Sequence, residues 1–149
     1  MNKDKHIIIG SDHAAFVLKE KIKQFLCKKD FIVEDIGTKS DKSVNYVDYG
    51  KKVAKAISKG AFSKGVLICG TGIGMSITAN RFKRVRATLC CDSFTAEMSR
   101  AHNDSNILVL GSRIVSDDLA FEIIDIWLKK DFEKGRHLER IKSIDAEFK

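Results

Sequence analysis

The stretch Val66–Phe82, VLICGTGIGMSITANRF, decides how this chain is read. A continuous apolar run stops at Cys69. The loop Gly70, Thr71, Gly72, Ile73, Gly74 follows, and then a segment that reads as a helix. An apolar run without polar alternation predicts a strand buried on both faces, and a glycine turn straight into a helix predicts the first half of a βαβ unit. Glycines let the backbone approach a ligand closely, and a helix start offers free N–H groups and the positive end of its dipole. Such a loop suits an anion, whether phosphate, carboxylate or transient oxyanion.

Working outward, short apolar runs recur at His6–Gly10, Phe31–Gly37, 87–92 (ATLCCD) and Asn106–Ser112. Segments with helical spacing separate them, at 14–29, 46–60, 95–102, 116–130 and 135–148. Ser116 followed by two aspartates predicts a capped helix start, and Leu138, Ile141, Ile144 and Phe148 form one stripe on the last helix. The pattern predicts one α/β domain over residues 1–149, a three-layer α/β/α sandwich on a Rossmann-like five-stranded parallel sheet. Right-handed crossovers then put every strand-to-helix loop at one edge, where ligands bind in such sheets. Asp12, His13, Cys69, Thr71 and Arg113 are expected at or near that rim. His102, in the polar loop SRAHNDSN, is expected close to it as a second histidine.

Composition narrows the partners. The chain has 149 residues, 44% apolar and 32% charged, which predicts a soluble globular protein. No apolar run is long enough to cross a bilayer and no secretory signal is visible, so a cytoplasmic location is expected. Cys27, Cys69, Cys90 and Cys91 show no C-x-x-C spacing and are expected reduced, with Cys90 and Cys91 as small core residues of the fourth strand. The net charge of +7 favours anionic partners. The lysines are spread along helices with no basic block among aromatics, which points away from nucleic acid and toward a solvated lysine-rich surface; a phosphorylated small molecule would also account for a few clustered arginines.

The loop is G-x-G-x-G rather than G-x-G-x-x-G, with Met75 where the third glycine of a dinucleotide binder would stand. Asp92 lies at roughly the spacing of a ribose-binding acid, so that test stays open. There is no G-K-[ST] ending. Cys69 precedes a helix start whose positive end stabilises a thiolate. It reads either as a nucleophile or general base, or as a buried strand-end cysteine, and position alone leaves both open. No H-x-x-x-H spacing occurs, so no metal is expected. Arg136 and Arg140, four apart, share a helix face. They suit phosphate, or else form a solvated face with Glu133 and Glu139.

Taken together, GSDHA, CGTGIGMSITANRF, SRAHND, GSR and GRHLER resemble, in order and spacing, the type B ribose-5-phosphate isomerases, within the wider group that includes galactose-6-phosphate isomerase subunits. The resemblance covers roughly residues 6 to 145. It implies a cofactor-free aldose–ketose isomerase of the pentose phosphate pathway. By similarity His102 opens the furanose ring, Cys69 moves the proton between C2 and C1, and Thr71 helps move it between the oxygens. Backbone N–H groups from Gly70 to Gly74, with Gly72 between them, would hold the enediolate. His13, Arg113, Arg136 and Arg140 would bind phosphate, and Asp12, Tyr46 and Asn103 the sugar. The resemblance also implies a homodimer or tetramer with active sites shared between subunits. One departure is NYV at Asn45–Val47, where relatives often carry a proline; a looser loop around Tyr46 is expected.

Overall fold

Five strands pair in parallel: β1 (His6–Ser11), β2 (Ile32–Asp35), β3 (Lys64–Cys69), β4 (Ala87–Leu89) and β5 (Ile107–Gly111). Their order across the sheet is β2-β1-β3-β5-β4. Among the described residues six α-helices accompany them: α1 (Phe16–Cys27), α2 (Tyr46–Ser58), α3 (Ile73–Ala79), α4 (Ser93–Ala101), α5 (Asp117–Lys129) and α6 (Arg136–Ala146). The structure is a computed structural model and describes residues 5–147.

The continuous apolar runs belong to the central strands. All of β5 and all but the first residue of β1 and β3 are buried. Side chains alternate between two cores. Ile7, Ile9, Val66, Ile68, Leu108 and Leu110 pack with α1, α4 and α5 around Trp127. Ile8, Leu67, Ile107 and Val109 pack under α2 and α3. Trp127 is fully buried, and its indole N–H donates to Ser105 Oγ at 3.3 Å. Ser116 caps α5 as its sequence predicts, accepting the Leu119 N–H at 3.2 Å.

The edges differ from the expectation. β4 ends at Leu89, not Asp92. Cys90 is buried, and burial pushes its thiol up to about 11, but Cys91 is exposed and is not a core residue. Asp92 caps α4, accepting the Thr95 N–H at 2.7 Å, which settles it as a helix cap rather than a ribose acid. β2 is an edge strand with exposed positions, and Asp35 at its end accepts from the fully buried Lys19 at 2.5 Å. On α6 only Ile141 of the apolar stripe is buried; Leu138 and Ile144 keep 37% and 49% exposure, and Phe148 lies outside the described residues.

From β1 the chain winds outward to β2, and from β3 it winds the other way to β4. The crevice between the C-terminal ends of β1 and β3 is therefore the topological switch point, where open α/β sheets take their ligands. Trp127→Ala is expected to cost about 3–5 kcal/mol in urea unfolding, from lost burial plus the cavity left behind. A cost below about 1 kcal/mol would contradict a rigid core at this position.

Candidate active site

A cleft of about 520 Å³ opens at the switch point. The loops around it are laced together by backbone. Asp12 N–H donates to Ile68 O at 3.3 Å, Ser112 N–H to Cys69 O at 2.8 Å and Arg113 N–H to Gly70 O at 2.9 Å. Ser112 Oγ donates to Ala14 O at 3.0 Å. Asp12, His13, Cys69, Thr71 and Arg113 all line the cleft, as the topology predicts, and Tyr46, Gly70 and Gly74 line it with them. Ile73 and Ile77 add an apolar wall that the sequence reading missed.

Each residue has a local reason for its place. Gly72 sits at φ +80°, and a Cβ there would stand 2.5 Å from Leu89 Cδ1, so only glycine makes this turn. The turn brings the Gly72 N–H to 3.2 Å from Cys69 Sγ. Thr71 Oγ1 accepts the Ile73 N–H at 3.3 Å as α3 begins. The Arg113 guanidinium lies over Gly70, where an added Cβ would be 3.2 Å from Nη1. His13 Nδ1 accepts the Val44 N–H at 3.1 Å, which leaves Nε2 as the proton-bearing nitrogen of the neutral ring. Asp12 is 6% exposed, and its buried Oδ1 has no hydrogen-bond partner among the described residues. Tyr46 is held without the proline. Asn45 Oδ1 accepts the Val47 N–H at 3.0 Å, and the Tyr46 ring packs where a Cβ on Gly74 would come within 2.5 Å.

His102 is not at this rim. It caps the C-terminus of α4, which carries the chain back to the opposite edge of the sheet, where Ile107 of β5 pairs with Gly65 of β3. The length of β3 between Gly65 and Cys69, roughly 13 Å at about 3.3 Å per residue, separates the two edges. Asn103 follows His102 there. His137, between Arg136 and Arg140 on α6, stacks on His102 with ring centroids 4.2 Å apart and planes 11° apart. Arg136 and Arg140 are exposed, and among the described residues neither has an ion-pair partner. Glu139 pairs with Lys142 at 3.0 Å, and Glu133 lies 3.9 Å from His102 and 4.0 Å from His137. The solvated face with glutamate partners is thus not formed. Within one chain the cleft and the His102 cluster lie at opposite edges of the sheet.

The ribose/galactose isomerase family model matches residues 7–144. The chain belongs to the ribose/galactose isomerase family. It is 44% identical over 142 residues to the ribose-5-phosphate isomerase B of Escherichia coli, covering 95% of each chain. A solved ribose-5-phosphate isomerase B of Clostridium thermocellum is 49% identical, with a TM-score of 0.93 over 95% of both chains. The D-erythrulose-4-phosphate isomerase of Pectobacterium atrosepticum is 37% identical, covering 93% of this chain and 91% of that one. The protein is therefore a sugar-phosphate isomerase, and substrate length varies among its relatives.

For a family member, the His102, Glu133 and His137 cluster invites a test against metal geometry. An imidazole binds a metal in its own plane, and two stacked planes only 11° apart do not meet at bonding distance. The exposed arginines on both sides of His137 also oppose a cation. As arranged, the rings pack on each other and do not converge on an ion.

Burial foremost, and then His102, Arg136 and Arg140, hold the His137 imidazole below its usual range, with Glu133 opposing them. The native state then binds fewer protons at His137 than the unfolded chain does as pH falls through about 6.5, so this group's contribution to stability is lost as pH falls. The thermal midpoint of the wild type is expected to drop more between pH 7 and pH 5 than that of His137→Asn. Identical pH dependence in the two proteins would contradict this.

Proposed function

We propose that this isomerase interconverts D-ribose 5-phosphate and D-ribulose 5-phosphate through an enediolate, without metal or organic cofactor, as one domain in the cytoplasm. The observation that carries the reading is the Gly72 N–H against Cys69 Sγ inside a glycine loop at the switch point. A base beside preorganised donors is what moving a proton between adjacent carbons needs, because negative charge develops on two oxygens.

The steps divide among the residues as follows. His102 takes the proton from O1 of the furanose and returns one to the ring oxygen, which opens the sugar. Cys69 removes the C2 proton and delivers it to C1. Thr71 shifts the proton between O1 and O2. The N–H groups of Gly70, Thr71 and Gly74 hold the enediolate, while the Gly72 N–H rests on Cys69 Sγ and the Ile73 N–H on Thr71 Oγ1. The buried, unpartnered Asp12 Oδ1 accepts from a sugar hydroxyl, an assignment supported by the cost of leaving such an atom unpaired. Tyr46 and Asn103 contact the sugar. His13 and Arg113 from one chain, and Arg136 and Arg140 from another, bind the phosphate as charge-assisted donors.

Two half-sites at opposite edges of one sheet require a second copy, so the active unit is a homodimer or a tetramer of such pairs. Apolar groups flanking the rim support this. Ile73, Ile77, Phe94 and Ile114 are each more than half exposed. A second reading keeps the chemistry and lengthens the substrate to allose 6-phosphate or galactose 6-phosphate, in line with the family's galactose branch.

Ribulose 5-phosphate has no free hydroxyl with which to close a five-membered ring, so exchange of its C1 proton in D₂O reports the Cys69 step without ring chemistry. Cys69→Ala is expected to lose about a thousandfold in both conversion and C1 exchange, the scale of a positioned general base. His102→Asn is expected to lose conversion while keeping exchange. Near-normal turnover by Cys69→Ala would sink the assignment of the base.

A further inference from the structure

The substrate cleft uses neither Glu133 nor His137, yet both face the residue assigned to ring opening. We propose that Glu133 and His137 are positioning residues for His102, His137 fixing the plane of its ring and Glu133 supplying the counter-charge when that ring takes a proton. The proposal rests on the ring-opening role of His102 given above.

Three observations carry it. First, His137 is 7% exposed, whereas the His102 side chain is 39% exposed. A buried ring has few rotamers open to it, so the stacked face of His137 is a fixed platform for the freer ring above. Second, one carboxylate oxygen, Glu133 Oε2, lies 3.9 Å from His102 Nε2 and 4.0 Å from His137 Nε2. That oxygen lies beyond hydrogen-bond distance of both rings, and it sits where a carboxylate opposes the charge that appears when His102 holds a proton. Third, the segment bearing Glu133 is stitched to α4, the helix that ends at His102. Glu133 N–H donates to Ala101 O at 3.0 Å, Arg100 Nε–H donates to Lys130 O at 3.4 Å, and Lys130 Nζ pairs with Glu97 at 3.2 Å. Lys130 also reaches Glu133 at 3.6 Å, which holds the carboxylate from its other side. The backbone of His102 is set by α4, its ring by His137 and its counter-charge by Glu133.

A pair that only packed the end of α4 would affect both halves of the reaction equally, and this separates the two accounts. Glu133 is half exposed, so Glu133→Gln leaves the core untouched. Glu133→Gln and His137→Ala are expected to lower kcat from ribose 5-phosphate by about tenfold or more, since small misplacements of a catalytic group are costly. KM should stay within about twofold, and so should C1 exchange of ribulose 5-phosphate in D₂O, because that step does not use His102. Glu133→Asp and His137→Phe should each recover part of the loss, by restoring the carboxylate and the flat platform respectively. Conversion and exchange falling together, neither falling, or KM rising with kcat unchanged would overturn the proposal. Should His102→Asn itself lose exchange, the ring-opening reading fails and the positioning role fails with it. Should His102→Asn separate the two rates while Glu133→Gln and His137→Ala do not, the positioning role alone fails.

Discussion

The site depends on one turn. At Gly72 the backbone enters the left-handed region and folds its own N–H back onto the sulfur of Cys69, three residues earlier. No other residue type makes this turn without strain or collision, because Leu89 and the Leu110 carbonyl already occupy the space a side chain would need. Its neighbours are constrained in the same way. A Cβ at Gly111 would stand 2.6 Å from the Thr71 carbonyl oxygen, and one at Gly74 would strike the Tyr46 ring. The loop is therefore clamped between the exit of β5 and the start of α2. The cysteine and the donors around it reach one place because packing leaves the chain no other path.

A second constraint is topological. In a parallel sheet with right-handed crossovers, residues that follow strands and residues that precede them lie at opposite edges. Asp12, His13 and Arg113 follow strands and Cys69 ends one, whereas His102 precedes β5. One chain of this fold does not bring them together. Among the described residues the same division leaves the α6 arginines without ion-pair partners and apolar side chains exposed around the rim. The proposed pairing would answer both at once, leaving the exposed cationic forks for a phosphate and removing apolar area from water.

Much of this was legible in the chain. The buried strands announced themselves as unbroken apolar runs, and the rule that ligands sit beyond the strand ends picked out the cleft residues. The reading went astray where local pattern and tertiary place diverge. Cys90 and Cys91 look alike in sequence, but β4 ends just before them at Leu89; the Cys90 N–H still donates to the Val109 carbonyl of β5 and Cys90 packs in the core, while Cys91 is exposed. Asp92 has the spacing of a ribose acid but is used by the first turn of α4. His102 was expected near the rim because the loop after β4 leads to it, but α4 lies between and carries the chain to the opposite edge. The missing proline suggested a slack Tyr46; in the structure Asn45 caps α2 through the Val47 N–H and the Tyr46 ring lies against Gly74. The burial of His137 between two exposed arginines had no sequence signal at all, because it arises from α6 packing beside the end of α4.

The central claim is that each active site joins Cys69 of one chain to His102 of another. Subunit complementation tests it most directly. Cys69→Ala and His102→Asn proteins, each inactive in converting ribose 5-phosphate, are unfolded, mixed in equal amounts and refolded together. Sites shared between chains predict recovery of about a quarter of wild-type activity, because half of randomly paired dimers are mixed and one of their two sites is intact. Refolded mixtures that are no more active than the separate variants would contradict the account.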